Sequence, residues 1–484
     1  MKGTIKLLPG EPNEANRDYL PEAIKGSTMV VNENGNNSQP YPERLREYRE
    51  AVVGEAASTW YEYVPASYDG SRQVPLVVSL HGGLMTGWGQ AIYTSWTHIA
   101  DREGFIVLFP NASERKVWMV ECEEKTLEII GKPNPEGFYL HRAPEDPADN
   151  RDMQVILALI EQMERTYAID ASLIFIHGMS MGDIMANQML RHYSERFAAG
   201  SGSAGMTWPE VLWDAAGEPR CQPAPVPVMQ SRMEHDEIPF HDGETGMFIR
   251  SNRDFWKRAN GCDSLPRLRI VGENNLACYT GEHADFVYHE VKNRDHGQTF
   301  DDAELVWQHL FAKVVEGEAG SPEEQGDAWS VALAAGSRKA YVHQRLVEMS
   351  GPAFLHHKLK YHGLNGDAIV RGSYLMTPIS FVAELLGGQV TESYEGRSAE
   401  LSLPDGRTFQ IAQGSIGCVV DNRVESMLCE AVYREGELYL PIQWLICRHL
   451  GRHASACGDV LYMTDHYAEL SLYMAELIQT EILR

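Results

Sequence analysis

The chain is short of cysteine and of positive charge, and it has no long apolar run. Eight cysteines in 484 residues are too few and too scattered for a disulfide scaffold. None stands in a C-x-x-C pair, so no zinc or dithiol redox motif is present and no metal or cofactor is expected. Lysine and arginine number 42 against 68 aspartates and glutamates, a formal net charge of -26. That balance makes nucleic acid and anionic membrane surfaces poor partners. No apolar stretch approaches the roughly 20 residues that span a membrane. The N-terminus lacks the apolar segment of a signal peptide, so the chain as given reads as cytoplasmic or trimmed.

What is present is a hydrophobic content of 43%, enough for a sizeable core. The length asks for two or three domains. Residues 1–55 are polar, with Asn-rich loop sequence at 32–37, and read as an extension. From Trp60 onward strands and helices alternate. Residues 60–65, 76–80, 105–110, 226–230 and 285–291 have strand character. Between them, 152–167 carries Met153, Ile156, Leu157, Ile160 and Met163 at helical spacing, and a last helix is expected over 302–314. This alternation predicts an α/β domain over 56–315, a mostly parallel sheet with helices on both faces. A charged, small-residue linker follows, placed at 316–334. Beyond it, 375–387 is echoed by 438–451, each a proline opening a short helix that stops at glycine. A hairpin about Pro404-Asp405-Gly406-Arg407 lies between the two. Residues 335–484 are therefore expected to form a smaller α+β domain with an internal repeat.

The chemistry concentrates at one motif. The apolar run 173–176 ends in Gly178-Met179-Ser180-Met181-Gly182, and an apolar-periodic segment follows at once. That is strand, sharp turn and helix, with a serine at the apex. The bare pattern is weak, and its context is what a nucleophile needs. A serine nucleophile also requires a base, and the base an orienting carboxylate, in the chain order serine, acid, histidine. Asp236, in the loop after the 226–230 strand, is the chosen acid, with Glu234, Glu237 and Asp242 near enough to compete. His296 sits in a turn before the last helix and is the chosen base. His289 lies within a strand and reads as a packing residue, while His235 is a neighbour of the acid. The oxyanion needs two N–H donors. Met181 is expected to supply one, and Gly83 or Leu84 of the His81-Gly82-Gly83-Leu84 turn the other. Trp88, Trp118 and Trp208 fall near the loops of this face and are candidates for substrate binding, although core packing is the usual fate of tryptophan.

Taken together, residues 56–314 resemble the polyhydroxybutyrate depolymerase and feruloyl or acetylxylan esterase group of α/β-hydrolases. The resemblance rests on 75–83, Trp96 with Ala100-Asp101, 167–170, 178–182, Trp256-Lys257-Arg258-Ala259-Asn260-Gly261-Cys262, and His296. It implies a triad of Ser180, Asp236 and His296 and an ester substrate, of feruloyl, acetyl or hydroxyalkanoate/aromatic polyester type. It also implies a disulfide between Cys262 and Cys278 in an oxidising compartment, and an extracellular setting. Met181 and Asp183 depart from the small residue and the glycine usual in such elbows, which bears on substrate. Asp183 is expected to add a charge at the helix start. Residues 335–484 resemble the copper amine oxidase N-terminal-like domain, without a histidine cluster that would call for copper. This domain leaves room for homo-oligomer or polymer and cell-wall contact. Two other readings stay open: a surface polymer-binding protein with an idle hydrolase domain, and a serine peptidase.

Overall fold

The strands of the first half are apolar, short and separated by helical segments, so each must be covered on both faces. The computed structural model of the protein describes residues 4–5, 42–113, 117–133, 139–317, 326–362 and 366–484. The Asn-rich segment at 32–37 lies outside the described residues. Two units emerge, one of Met1–Ser264 with Cys278–Pro322 and one of Leu265–Ala277 with Glu323–Arg484.

In the first unit the strands are β1 (Leu45–Glu50), β2 (Ser58–Tyr63), β3 (Val74–Leu80), β4 (Ile106–Pro110), β5 (Ile169–Met179), β6 (Ala199–Ser203), β7 (Val228–Met233) and β8 (Phe286–Val291). Their order across the sheet is β1-β2-β4-β3-β5-β6-β7-β8. From β4 to β8 neighbours are parallel, while β1 and β2 run antiparallel. The extension expected over 1–55 thus ends differently: Leu45–Glu50 is an edge strand, because Leu45 and its partners supply a register on β2. Strands β3 and β4 are almost wholly buried, as their unbroken apolar sequences require.

The helices are α1 (Gly87–Tyr93), α2 (Trp96–Glu103), α3 (Glu124–Ile130), α4 (Arg151–Thr166), α5 (Met181–Tyr193), α6 (Pro209–Leu212), α7 (Thr245–Asn260) and α8 (Asp302–Val306). Helix α4 starts where Asn150 caps it, accepting from the Asp152 and Met153 N–H groups. It buries Met153, Ile156, Ile160 and Met163, four of the five periodic residues of the sequence, and leaves Leu157 half-buried. Beyond α8 the chain passes through a π-helical turn at Trp307–Phe311 and ends its helix at Glu316. Helix α7 stops at Gly261, which takes the left-handed conformation at φ 69°.

The second unit is mainly antiparallel sheet. Its core gathers Val331, Leu333, Phe381, Leu401, Phe409, Leu440, Trp444, Leu461 and Met463. The duplicated segments form two short helices, α9 (Ile379–Leu386) and α10 (Ile442–His449), each preceded by its proline. The strands Ser398–Ser402 and Thr408–Ala412 pair antiparallel with Leu401 opposite Phe409. Two boundaries differ from the sequence expectation. Ser330–Ala334 is a fully buried strand, so the linker placed at 316–334 is shorter. Residues 265–277 join this unit, where Asp327 binds the Ile270 N–H through Oδ2 and donates its own N–H to Leu268 O.

Candidate active site

The turn from β5 to α5 is built by close approach. A Cβ at Gly178 would lie 2.0 Å from the Gly182 carbonyl oxygen, and one at Gly182 2.3 Å from the Leu80 oxygen. Neither position has room for a side chain. Between them Ser180 sits at φ 54° and ψ -120°, a region that L side chains rarely occupy. Its N–H donates to Ser203 O on β6 at 2.8 Å, and its carbonyl accepts from Asp183 N at 2.9 Å. These bonds hold the strained residue against both neighbouring elements. A rigid, raised serine hydroxyl is the result.

Two loops at the carboxyl ends of β7 and β8 meet that hydroxyl. His296 Nε2 lies 2.9 Å from Ser180 Oγ, and His296 Nδ1 lies 2.9 Å from Asp236 Oδ1. A carboxylate accepting from Nδ1–H leaves the Nε2 lone pair facing the serine, the tautomer a base requires. Asp236 is buried while His296 is open to solvent on one side. The competing acids lie elsewhere. Glu234 accepts from Asn293 N at 2.9 Å, Glu237 accepts from Thr245 Oγ1 at 2.9 Å, and Asp242 is exposed. His235 is exposed and faces Glu234 at 3.7 Å. His289 is buried in β8 with Nδ1 3.0 Å from Ser231 Oγ, and burial holds its pKa below the usual histidine value.

The turn after β3 lies against the elbow. A Cβ on Gly83 would fall 2.9 Å from Met181 Sδ, so the turn and the residue after the serine share one small space. Leu84 takes φ 62° and is half exposed. His81 is fixed within the fold: Nε2 accepts from Ala112 N at 3.0 Å, so Nδ1 carries the proton and donates to Gly82 O at 2.6 Å. The Met181 N–H is at the first position of α5, where helix geometry offers no internal acceptor.

Ser180 and His296 open onto a cavity of about 150 Å³. Its wall is mostly apolar, with Ile130, Leu140, Ile184, Met206, Trp208 and Phe240 prominent. Of the three tryptophans expected there, only Trp208 lines it. Trp118 is buried behind the turn, where its Nε1 donates to His81 O at 2.7 Å and its ring packs on the His81 imidazole. Trp88 lies in α1, apart from the cavity lining. Both corrections have one cause: proximity in sequence to the right loops says nothing about which way an indole turns.

Two further expectations change. Asp183 is not a solvent-facing charge at the helix start. It is fully buried, accepting from Gly205 N at 2.9 Å and from Asn187 Nδ2 at 2.6 Å, and burial pushes its carboxyl well above the usual range. Cys262 and Cys278 are both buried and are not joined in a disulfide. Cys262 Sγ faces the Ala284 carbonyl at 3.6 Å, and burial pushes its pKa up to about 12, which disfavours the thiolate that would start exchange. Among the described residues no group of three His, Cys, Asp or Glu could hold a metal ion. No described helix is long and apolar enough to cross a membrane.

The sequence reading missed the wall formed by α3 and by Phe240, and it missed Arg232. Arg232 is fully buried on β7 beside Asp236, with Nη1 3.0 Å from Asp236 Oδ2 and Nη2 donating to Asp236 O at 2.7 Å. A single charged residue in the buried strand Val228–Met233 was the available signal.

A serine on a strained strand-to-helix turn of a mostly parallel, helix-covered sheet defines the α/β-hydrolase fold, and the first unit has that fold. No protein-family model matches the chain. It is 24% identical over 247 residues to a bifunctional acetylxylan esterase/xylanase of Neocallimastix patriciarum, a match covering 50% of this chain and 32% of that protein. It is 24% identical over 223 residues to feruloyl esterase B of Piromyces equi, covering 43% of this chain and 37% of that one. Among solved structures, an acetyl xylan esterase from Aspergillus awamori covers 55% of this chain and 98% of its own, at 16% identity and a TM-score of 0.39. The chain spans about a third of the length of these two curated relatives.

Proposed function

We infer that the first unit is a serine carboxylic ester hydrolase. The observation that carries this is the chain of contacts from Asp236 through His296 to Ser180, two steps of 2.9 Å ending on a strained serine. Ser180 Oγ attacks the ester carbonyl while His296 Nε2 takes its proton. The tetrahedral oxyanion is met by the Met181 N–H and by an N–H of Gly83 or Leu84. His296 then returns the proton to the departing alcohol, leaving an acyl-serine. Water, deprotonated by His296, attacks that ester; the acid leaves and the serine regains its hydrogen. Similarity to named acetylxylan and feruloyl esterases supports ester over amide substrates.

The cavity supports the acyl side of the substrate. A mostly apolar space of roughly 150 Å³, partly open to solvent, is of the size that takes up a single benzene ring. An aromatic or short hydroxyalkanoyl acyl group fits that space, while acetyl would leave most of it empty. The hydrolase domain is proposed over 56–315, with the edge strand Leu45–Glu50 added and 265–277 left to the second unit. The second unit is proposed as a copper amine oxidase N-terminal-like module that contacts polymer, cell wall or another copy of the chain.

The test is a panel of p-nitrophenyl acetate, ethyl ferulate and hydroxybutyrate oligomers, with fluorophosphonate labelling. Wild type should turn over at least one ester and label at Ser180. Ser180→Ala should lose both while staying folded. Undiminished turnover in Ser180→Ala would refute the assignment, and an unlabelled wild type would favour an idle domain.

A further inference from the structure

Arg232 is a buried charged side chain paired with the acid of the Asp236–His296 pair. Asp236 divides its two oxygens: Oδ1 meets His296 Nδ1 at 2.9 Å, and Oδ2 lies 3.0 Å from Arg232 Nη1. The second guanidinium nitrogen, Nη2, donates to the Asp236 carbonyl at 2.7 Å. One side chain therefore hydrogen-bonds the backbone of the acid and stands at ion-pair distance from its carboxylate, whose Oδ2 makes no hydrogen bond. Arg232 is 1% exposed, so water does not screen its charge. It also lines the cavity that holds Ser180 and His296.

We propose that Arg232 is a positioning residue of the proposed hydrolase: it holds Asp236 in the orientation that serves His296. This role rests on the esterase reading above. The ion pair on one carboxylate oxygen and the bond to the backbone carbonyl together restrict the rotation of a carboxylate that would otherwise pair with any donor in reach. Other ionisable groups surround the cluster. Asp183 on α5 is pushed toward its neutral form by burial, with Arg232 acting against that shift. Tyr288 and Glu290 face it from β8, with Tyr288 Oη 3.4 Å from Glu290 Oε2. Arg253 on α7 covers the Tyr288 ring at 5.5 Å. Glu234, Glu237 and Asp295 belong to the two loops themselves. Arg232 is the cation in contact with the acid.

The experiment follows kcat and KM for the best ester, and the rate of fluorophosphonate labelling at Ser180. Arg232→Met should lower kcat and the labelling rate about 10-fold or more while KM stays within about twofold, the pattern of a misplaced base. Arg232→Lys keeps the charge without the guanidinium's second donor and should recover part of the loss. Where Arg232→Met does not stay folded, Arg232→Gln carries the same expectation. A wild type that is labelled, with folded variants that keep kcat and the labelling rate, would overturn the role and leave the esterase reading standing. A wild type that neither turns over nor labels would overturn both.

Discussion

Strain at Ser180 has a measurable consequence for stability. Its backbone lies at φ 54° and ψ -120°, which glycine adopts freely and other residues do not. The informative comparison is Ser180→Gly against Ser180→Ala. Both lose the 2.9 Å contact to His296, so that term cancels. Holding alanine in this region costs about 1–3 kcal/mol. Glycine loses more backbone freedom on folding, which offsets about 0.4–1 kcal/mol of that relief. The balance favours Ser180→Gly by about 0.5–2 kcal/mol, or a few degrees in Tm for a domain of this size. At ordinary sites the order is reversed, with glycine the less stable by about 0.5–1 kcal/mol. Urea and thermal unfolding of the two inactive variants measure the difference directly. Equal stability, or a more stable Ser180→Ala, would show that the elbow is not strained as the dihedrals imply.

Two more expectations are open to simple assays. Trp208 Nε1 is buried without a hydrogen-bond partner, unlike the indoles of Trp60, Trp96, Trp118, Trp213 and Trp256. If an oxygen on the acyl group accepts from it, Trp208→Phe should lower kcat/KM for ethyl ferulate about 3–10-fold relative to ethyl cinnamate; an unchanged ratio would exclude that contact. Burial lowers the His289 pKa, so the unfolded chain binds its proton more readily than the folded one. Stability is then full above the unfolded value near 6.5 and is lost as pH falls below it, at up to about 1.4 kcal/mol per pH unit. His289→Gln should flatten the fall in urea midpoint between pH 7 and 5, and an identical slope in the variant would refute it.

The elbow was legible in the sequence because it is local. Strand, two glycines, serine and helix are consecutive, and the close approaches at Gly178 and Gly182 explain why those two residues must be glycine. The duplicated helices after Pro378 and Pro441 were legible for the same reason. Asp236 was one of four acids within nine residues, and only the path of the loop after β7 turns its carboxylate toward His296. Asp183 read as a charge at a helix start. Packing against Gly205 and Asn187 buries it instead.

By itself the sequence determined the strand-turn-helix that carries Ser180, the order of the candidate serine, acid and histidine, and the alternation that makes a parallel sheet. Those follow from neighbours along the chain and from the strand and helix periods. Tertiary structure alone decided the rest: that Trp208 and not Trp118 walls the cavity, that Arg232 grips Asp236, and that 265–277 packs with the second unit. Each depends on side-chain direction or on contacts between residues far apart in the chain, and neither has a signature in local spacing.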